Sequence, residues 1–271
     1  MTLIYVRQLL IDLDTPIPAR WNGGDCFRSA FYNALSMGFP AGEQYFISSV
    51  HRGFMTLSEI EQQRVAPEVQ GFIGQEATHR RIHSLFNGHL NRHGYYNHIE
   101  QRTLKRFKAH AHCNILGHLA ATAATEHLAF LFSDWTLRHD ESLGGAEPRL
   151  QALWQWHCAE ECEHHTTAFD IYIAAGGSYK WRIRIFRYVT LIFISDILYQ
   201  TVSNLWHDCS LFKWSTWRSG SQLLFAKDGM MRGNCRMWRD YLSPHFHPSQ
   251  NDISLAQQWL HDNKIQFSVK V

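Results

Sequence analysis

The sequence predicts an all-α protein, on three observations. Glycine and proline are sparse, 17 and 7 in 271 residues. No run of alternating polarity is long enough to specify a strand. Helix punctuation (Ser58, Pro67, Gly94, Gly176-Gly177) recurs at helix-length intervals. Hydrophobic residues make up 45% of the chain and charged residues 18%, a balance that excludes disorder and supplies a sizeable core.

Residues 1–40 read as irregular, punctuated by Pro16, Pro18, Gly23, Gly24 and Pro40. After Gly38-Phe39-Pro40 a first helix is expected from about Ala41 to Phe54. A short helix opened by Ser58 leads to Pro67. Proline is tolerated at a first helical position, so a long helix runs on to about His93, where Gly94 ends it. His98–His110 leads into an Ala-rich stretch ending at His139, whose small residues let neighbouring helices come close. The loop Glu141–Pro148 carries Gly144 and Gly145. It precedes a helix expected from about Glu147 to Ala175, closed by Gly176-Gly177. Tyr179–Trp206, Phe212–Met237 (with breaks) and Ser254–Asn263 read as further helices. The organisation expected is one domain in three parts: an irregular segment 1–40, a bundle 41–177, and a helical extension 178–271 packed on it.

The formal charge of +2 is too small to argue for nucleic acid. The most apolar region, Tyr188–Trp206, follows Arg187 and is interrupted by Asp196. It falls short of a membrane span. Arg182, Arg184 and Arg187 would suit a membrane surface, but a helix covering the bundle is the expectation. The segment MTLIYVRQLLIDLD lacks a small-residue cleavage site, and the six cysteines form no C-x-x-C pair. Cys158 and Cys162 stand four apart on one helix. A cytoplasmic protein with reduced thiols follows.

Histidine is the outlying residue type, with 18 copies, and neutral imidazole is the commonest metal-binding side chain. Two Glu-x-x-His motifs stand out, Glu76-Ala77-Thr78-His79 and Glu161-Cys162-Glu163-His164. Spacing of i, i+3 puts both side chains on one helix face, within reach of one metal ion. Chance alone supplies about one such pair in this composition, so the motifs are weak by themselves. Their frame is stronger. Glu43 precedes Glu76 by 33 residues and Glu126 precedes Glu161 by 35, the distance needed to run up one helix and down the next. Pairing two such hairpins brings Glu43, Glu76, His79, Glu126, Glu161 and His164 to the middle of one bundle. This is the ligand set of ferritin-like carboxylate proteins holding two metal ions. Four unpaired buried carboxylates would be prohibitively costly, whereas two divalent cations balance them. The fold expected is therefore a ferritin-like four-helix bundle with additional C-terminal helices.

The stretches Asn33–Phe46 (NALSMGFPAGEQYF), Gly71–Asn87 (GFIGQEATHRRIHSLFN), Thr125–Glu126 and Trp156–Asp170 (WHCAEECEHHTTAFD) resemble a bacterial family labelled "predicted metal-dependent hydrolase". Tyr241–Pro248 (YLSPHFHP) is similar to that family's C-terminal signature. The six proposed ligands also resemble, by position on successive helices, those of di-iron oxygenases, desaturases and the ribonucleotide reductase radical subunit. In such proteins the residue before the motif Glu often bonds the opposite motif's His. That resemblance implies that Glu160 orients His79 and that Gln75 orients His164. It also makes His83, four residues after His79, a candidate extra ligand. His157 and His165 flank Glu161 and would line the pocket, and Tyr45 would position substrate or act as a redox phenol. For His83 and Tyr45, plain core packing is the competing reading. Trp154, Trp156, Phe130 and Phe132 would wall an apolar pocket.

The first functional expectation is a two-metal oxidase or oxygenase acting on a small, largely apolar substrate. Iron is the first choice of metal, with manganese or zinc as alternatives. No Gly-rich nucleotide fingerprint is present, so electrons would come from a separate donor protein or the substrate. The alternative is the two-metal hydrolase that the resemblance names, and a third reading is iron storage. Trp and Phe in the C-terminal helices would serve a greasy substrate or a homodimer surface.

Overall fold

The computed structural model describes residues 4–270, so the extreme ends of the 1–40 and 178–271 segments lie outside the described residues. The protein is an all-α bundle. Its helices are α1 (Cys26–Phe54), α2 (Glu59–Arg92), α3 (His98–Ala109), α4 (Ile115–Arg138), α5 (Pro148–His164), α6 (Thr167–Ala174), α7 (Tyr179–His207), α8 (Trp214–Phe225), α9 (Met230–Asp240) and α10 (Ser254–Asp262). α1 packs along α2, and α4 along α5; these two hairpins face each other across the core.

Local chemistry explains the boundaries. Asp25 caps α1 by accepting from the Arg28 amide at 2.9 Å. Ser58 and Glu61 form a reciprocal capping box at the start of α2. Asn97 and Asn114 cap α3 and α4. Gly94 and Gly176 adopt φ of 86° and end α2 and α6, as glycine does where a helix closes left-handed.

Four features depart from the sequence expectation. First, α1 begins at Cys26 and passes through Pro40, so 1–40 is not irregular throughout. Proline removes the amide that would bond the Ser36 carbonyl. Here Asn87 Nδ2 donates to that carbonyl at 2.9 Å, which replaces the missing bond. Second, α2 is continuous through Pro67 from Glu59. Third, the helix expected over 147–175 breaks at His165-Thr166. The His165 ring lies 2.7 Å from the Cys162 carbonyl and 3.0 Å from that of Pro248, and Thr167 Oγ1 donates to Glu68 at 3.0 Å. Fourth, two three-residue strands pair antiparallel, β1 (Arg7–Leu9) with β2 (Phe267–Val269), in the register Arg7↔Val269. The segment leading into β1 lies on α2 at Gly71 and Gly74, where an added Cβ would collide with Ile4 and Val6.

The C-terminal helices cover the bundle, with α7 on α1 and α4, α9 on α4, and α10 on α5. Arg182 of α7 is buried among Phe169, Tyr179, Tyr241 and Phe246. It donates to the Ser243 carbonyl at 2.6 Å, so the Tyr241–Pro248 segment is clasped to the bundle. Contrary to the sequence reading of Tyr188–Trp206 as short of a span, α7 over its full length Tyr179–His207 is long and apolar enough to cross a membrane, as is α4. α4 is mostly buried in the bundle, whereas α7 leaves Tyr188, Leu191, Ile194 and Leu198 exposed. Cysteines 26, 113, 158, 162, 209 and 235 are all free.

Candidate metal centre

Glu43 comes from α1, Glu76 and His79 from α2, Glu126 from α4, and Glu161 and His164 from α5. All six are buried, none more than 4% exposed. Donor atoms of Glu76, Glu126, Glu161 and His164 lie within 4.8 Å of one another, and so do those of Glu43, Glu76 and His79. His164 Nε2 is 3.1 Å from Glu76, 3.3 Å from Glu126 and 3.5 Å from Glu161. His79 Nδ1 is 3.3 Å from Glu161. Two linked clusters result, with Glu76 and Glu161 toward the middle.

Both imidazoles are fixed from behind. His79 Nε2 is 3.0 Å from Glu160 Oε2, and His164 Nδ1 is 2.8 Å from Gln75 Oε1. When these nitrogens carry the protons and donate them, the opposite nitrogens face the cluster with a free lone pair. A residue absent from the sequence reading ties the two supports together. Arg7 of β1, only 7% exposed, donates to Glu160 at 3.0 Å and to both oxygens of Glu163 at 2.7 and 3.1 Å. Glu163 in turn accepts from Gln75 Nε2 at 2.7 Å. One guanidinium thus holds the residues behind both motif histidines. Phe267 of β2 stacks over it at 5.5 Å. The only local hint was Glu163 itself, a charge on a helix face already crowded with carboxylates.

The remaining candidates divide. His157 Nε2 lies 3.5 Å from Glu161 and its Nδ1 3.2 Å from His83 Nε2. His83 Nδ1 lies 2.9 Å from Ser36 Oγ. Glu43, His83 and His157 form a further close group, so His83 abuts the cluster with both nitrogens already engaged by protein atoms. His165 does not join them: its ring faces two backbone carbonyls and stacks on Phe130 at 4.6 Å. Tyr45 stands apart from the carboxylates, with its hydroxyl 2.8 Å from His118 Nδ1 and its ring stacked on Phe107.

Burial strains the charges. It is the first cause that pushes Glu126 up to about 8 and Glu43 well above the carboxylate range, with Glu76 adding repulsion in both cases. Glu76 is raised by burial as well. Burial also opposes charge on Glu161, but His164 and His79 outweigh it and hold Glu161 well below the usual range. For His79 burial would lower the pKa, yet Glu160 and Glu161 raise it to about 10. His157 is held at about 3, first by burial.

The donors pass a fit test for cations. Both oxygens of Glu43, Glu76 and Glu126, with His79 Nδ1 and His164 Nε2, are buried without a hydrogen-bond partner. Such atoms cost free energy unless something satisfies them. Oxygen and imidazole donors in this number suit divalent transition metals. Beside the cluster lies a cavity of about 440 Å³, within the usual range for small-molecule sites. Glu43, His157 and Glu161 form its inner end, and its walls come from α1, α3, α4 and α7.

An all-α bundle with buried, unsatisfied carboxylates and imidazoles beside an apolar cavity defines a class, the helical proteins with a metal-binding core. Residues 5–252 match the family described as "predicted metal-dependent hydrolase", and the chain belongs to that family. No curated protein and no solved structure matches it.

Proposed function

We propose that Glu43, Glu76, His79, Glu126, Glu161 and His164 hold two metal ions, and that the protein is a metal-dependent hydrolase of a largely apolar small molecule. The observation that carries this reading is the convergence of eight buried, partnerless oxygen and nitrogen atoms from four helices on one place. Two divalent cations balance four carboxylates in a dry core, where the unpaired charges would be untenable. The family's description supplies the reaction class. Cations bound there would supply Lewis acidity and acidify a bound water.

The chain's own groups do the rest. Glu160 and Gln75 hold the two histidines in the tautomers that point lone pairs inward. Glu43 and His157 line the cavity and abut the cluster, so they meet the substrate at its reacting end. His157, kept neutral by burial, presents Nε2 beside Glu161 as a polar contact at the reacting end. The apolar walls exclude bulk water, which strengthens every electrostatic contact within.

A second reading, a di-iron oxidase in a ferritin-like bundle, is favoured by the donor set. Four carboxylates and two imidazoles on four helices form the arrangement of carboxylate-bridged two-metal bundles. It would require a separate electron donor or an oxidisable substrate. One experiment separates the two: protein loaded with zinc, manganese or ferrous iron is assayed on aryl esters of graded chain length and for oxygen uptake. Metal-dependent ester cleavage lost in E161Q, with no oxygen uptake, supports the hydrolase. Oxygen consumption by the iron-loaded protein without ester cleavage overturns it in favour of the oxidase.

A further inference from the structure

The cavity has two unlike ends. Its inner end is the buried trio Glu43, His157 and Glu161, and its outer rim is formed by His110, Trp181, Arg184 and Tyr188, all exposed. Between them the floor on α4 is a row of small residues at i, i+4 spacing: Gly117, Ala121, Thr125 and Ala129. Residues so spaced share one helix face, and their small side chains leave a trough along it. Val189 and Phe193 of α7 and Phe107 of α3 close the trough from above. The result is a lengthwise apolar slot, not a rounded chamber.

Its charge is one-sided. Away from the metal cluster the acid among the described lining residues is Asp196, and this side chain is buried and bound by both Arg102, at 2.7 Å, and Arg106. The pair therefore carries one surplus positive charge. Arg184 adds an exposed guanidinium that no carboxylate engages among the described residues. Part-way in, His118 spends Nδ1 on Tyr45 and leaves Nε2 buried without a partner on the cavity wall.

We infer that the slot binds a single-chain anionic amphiphile, its headgroup at the Arg184 rim and its chain running over the α4 trough toward Glu43 and Glu161. Chain burial supplies most of the affinity, since apolar area removed from water is the dominant favourable contribution. The cationic rim selects the sign of the head. His118 Nε2 offers one hydrogen bond to an oxygen on the chain. The inference deepens the proposed function by naming a substrate class, and it rests on that reading for which end of the chain reacts.

The test is equilibrium binding of dodecanoate, dodecanol and dodecyltrimethylammonium to the full chain, metal-free and metal-loaded, with metal content measured separately. Dodecanoate binds at one site and more tightly than the cation. R184E, on the exposed rim, weakens dodecanoate about fivefold and leaves dodecanol unchanged. A121F, which fills the trough, weakens dodecanoate and dodecanol alike, and circular dichroism reports whether it still folds. Dodecanoate binding by protein that takes up no metal on reloading supports the slot while removing the metal-centre reading. No saturable binding of dodecanoate, equal affinity for anion and cation, or indifference of dodecanoate to R184E overturns the inference.

Discussion

Replacing Arg7 by methionine tests the support behind the metal centre. The guanidinium makes three hydrogen bonds to Glu160 and Glu163 and a fourth to the Tyr5 carbonyl at 3.1 Å. Methionine keeps much of the length and apolar bulk and removes every donor. Glu160, fully buried, is then left with His79 alone, and Glu163 with Gln75. Breaking a buried ion pair from one side costs about 3–5 kcal/mol, because the abandoned charge stays buried. For a chain of this size each kcal/mol moves the melting temperature by about 2–4 °C, so R7M melts roughly 6–20 °C lower. Metal affinity falls as well, by about 10–100-fold, as expected when the residue orienting a ligand imidazole is disturbed. The assays are thermal unfolding followed by circular dichroism and titration of metal-free protein with Zn(II) or Mn(II) against a chelating dye. R7K keeps a charge but not the fork that grips two carboxylates, and falls between. An R7M protein that melts within about 1 °C of wild type and binds metal equally well would refute the claim that Arg7 couples the two supports.

Metal loading is expected to release protons. Burial and repulsion hold a proton on Glu126 up to about pH 8, and carboxylate neighbours hold one on His79 up to about 10. A cation needs both groups deprotonated, so loading at pH 7 liberates roughly two or more protons per chain and affinity rises with pH; weakly buffered indicator titration measures the number. Replacing Glu126 by glutamine removes one of the crowded carboxylates. E126Q should raise the melting temperature of the metal-free protein while lowering its metal content, and a fall in both would count against electrostatic strain. His127, packed among Phe186, Tyr241 and Phe246 with Nε2 3.2 Å from the Met237 carbonyl, is held by burial at about 3. Its folded pKa lies below the unfolded 6.5, so the unfolded chain takes the proton first, and stability present above pH 6.5 is lost as pH falls toward 3. Between pH 6.5 and 5 this costs wild type roughly 2 kcal/mol that H127Q does not lose; urea titrations at both pH values check it.

The helices were legible where their signals are local. The Ser58 capping box, Gly94 and Gly176 lie within a few residues of the ends they set. The start of α1 was hidden because Pro40 reads as a stop, and the side chain that compensates it, Asn87, is 47 residues away. The break at His165 depends on the Pro248 carbonyl, and the strands depend on pairing the two ends of the chain. Three-residue strands are also too short to show a period. The same distinction governs the site. The six cluster residues follow helical spacing, the pairs Glu160–His79 and Gln75–His164 were implied by the resemblance to two-metal helical proteins, and the structure places both sets of residues close together. Arg7 could not be found that way, because nothing near it in sequence points at Glu160, 153 residues away. The cavity was equally hidden: the α4 row of small residues reads as close helix packing, and the walls from α1, α3 and α7 that complete the slot come from distant stretches of the chain.

The most direct test of the central claim is metal content by elemental analysis of the protein purified without chelator and reloaded with a single metal. Two ions per chain are expected for wild type, with at least one lost in E76Q and in E161Q, the two carboxylates nearest the middle of the cluster. A wild-type protein that takes up no metal, or one whose stoichiometry is unchanged by both substitutions, contradicts the account.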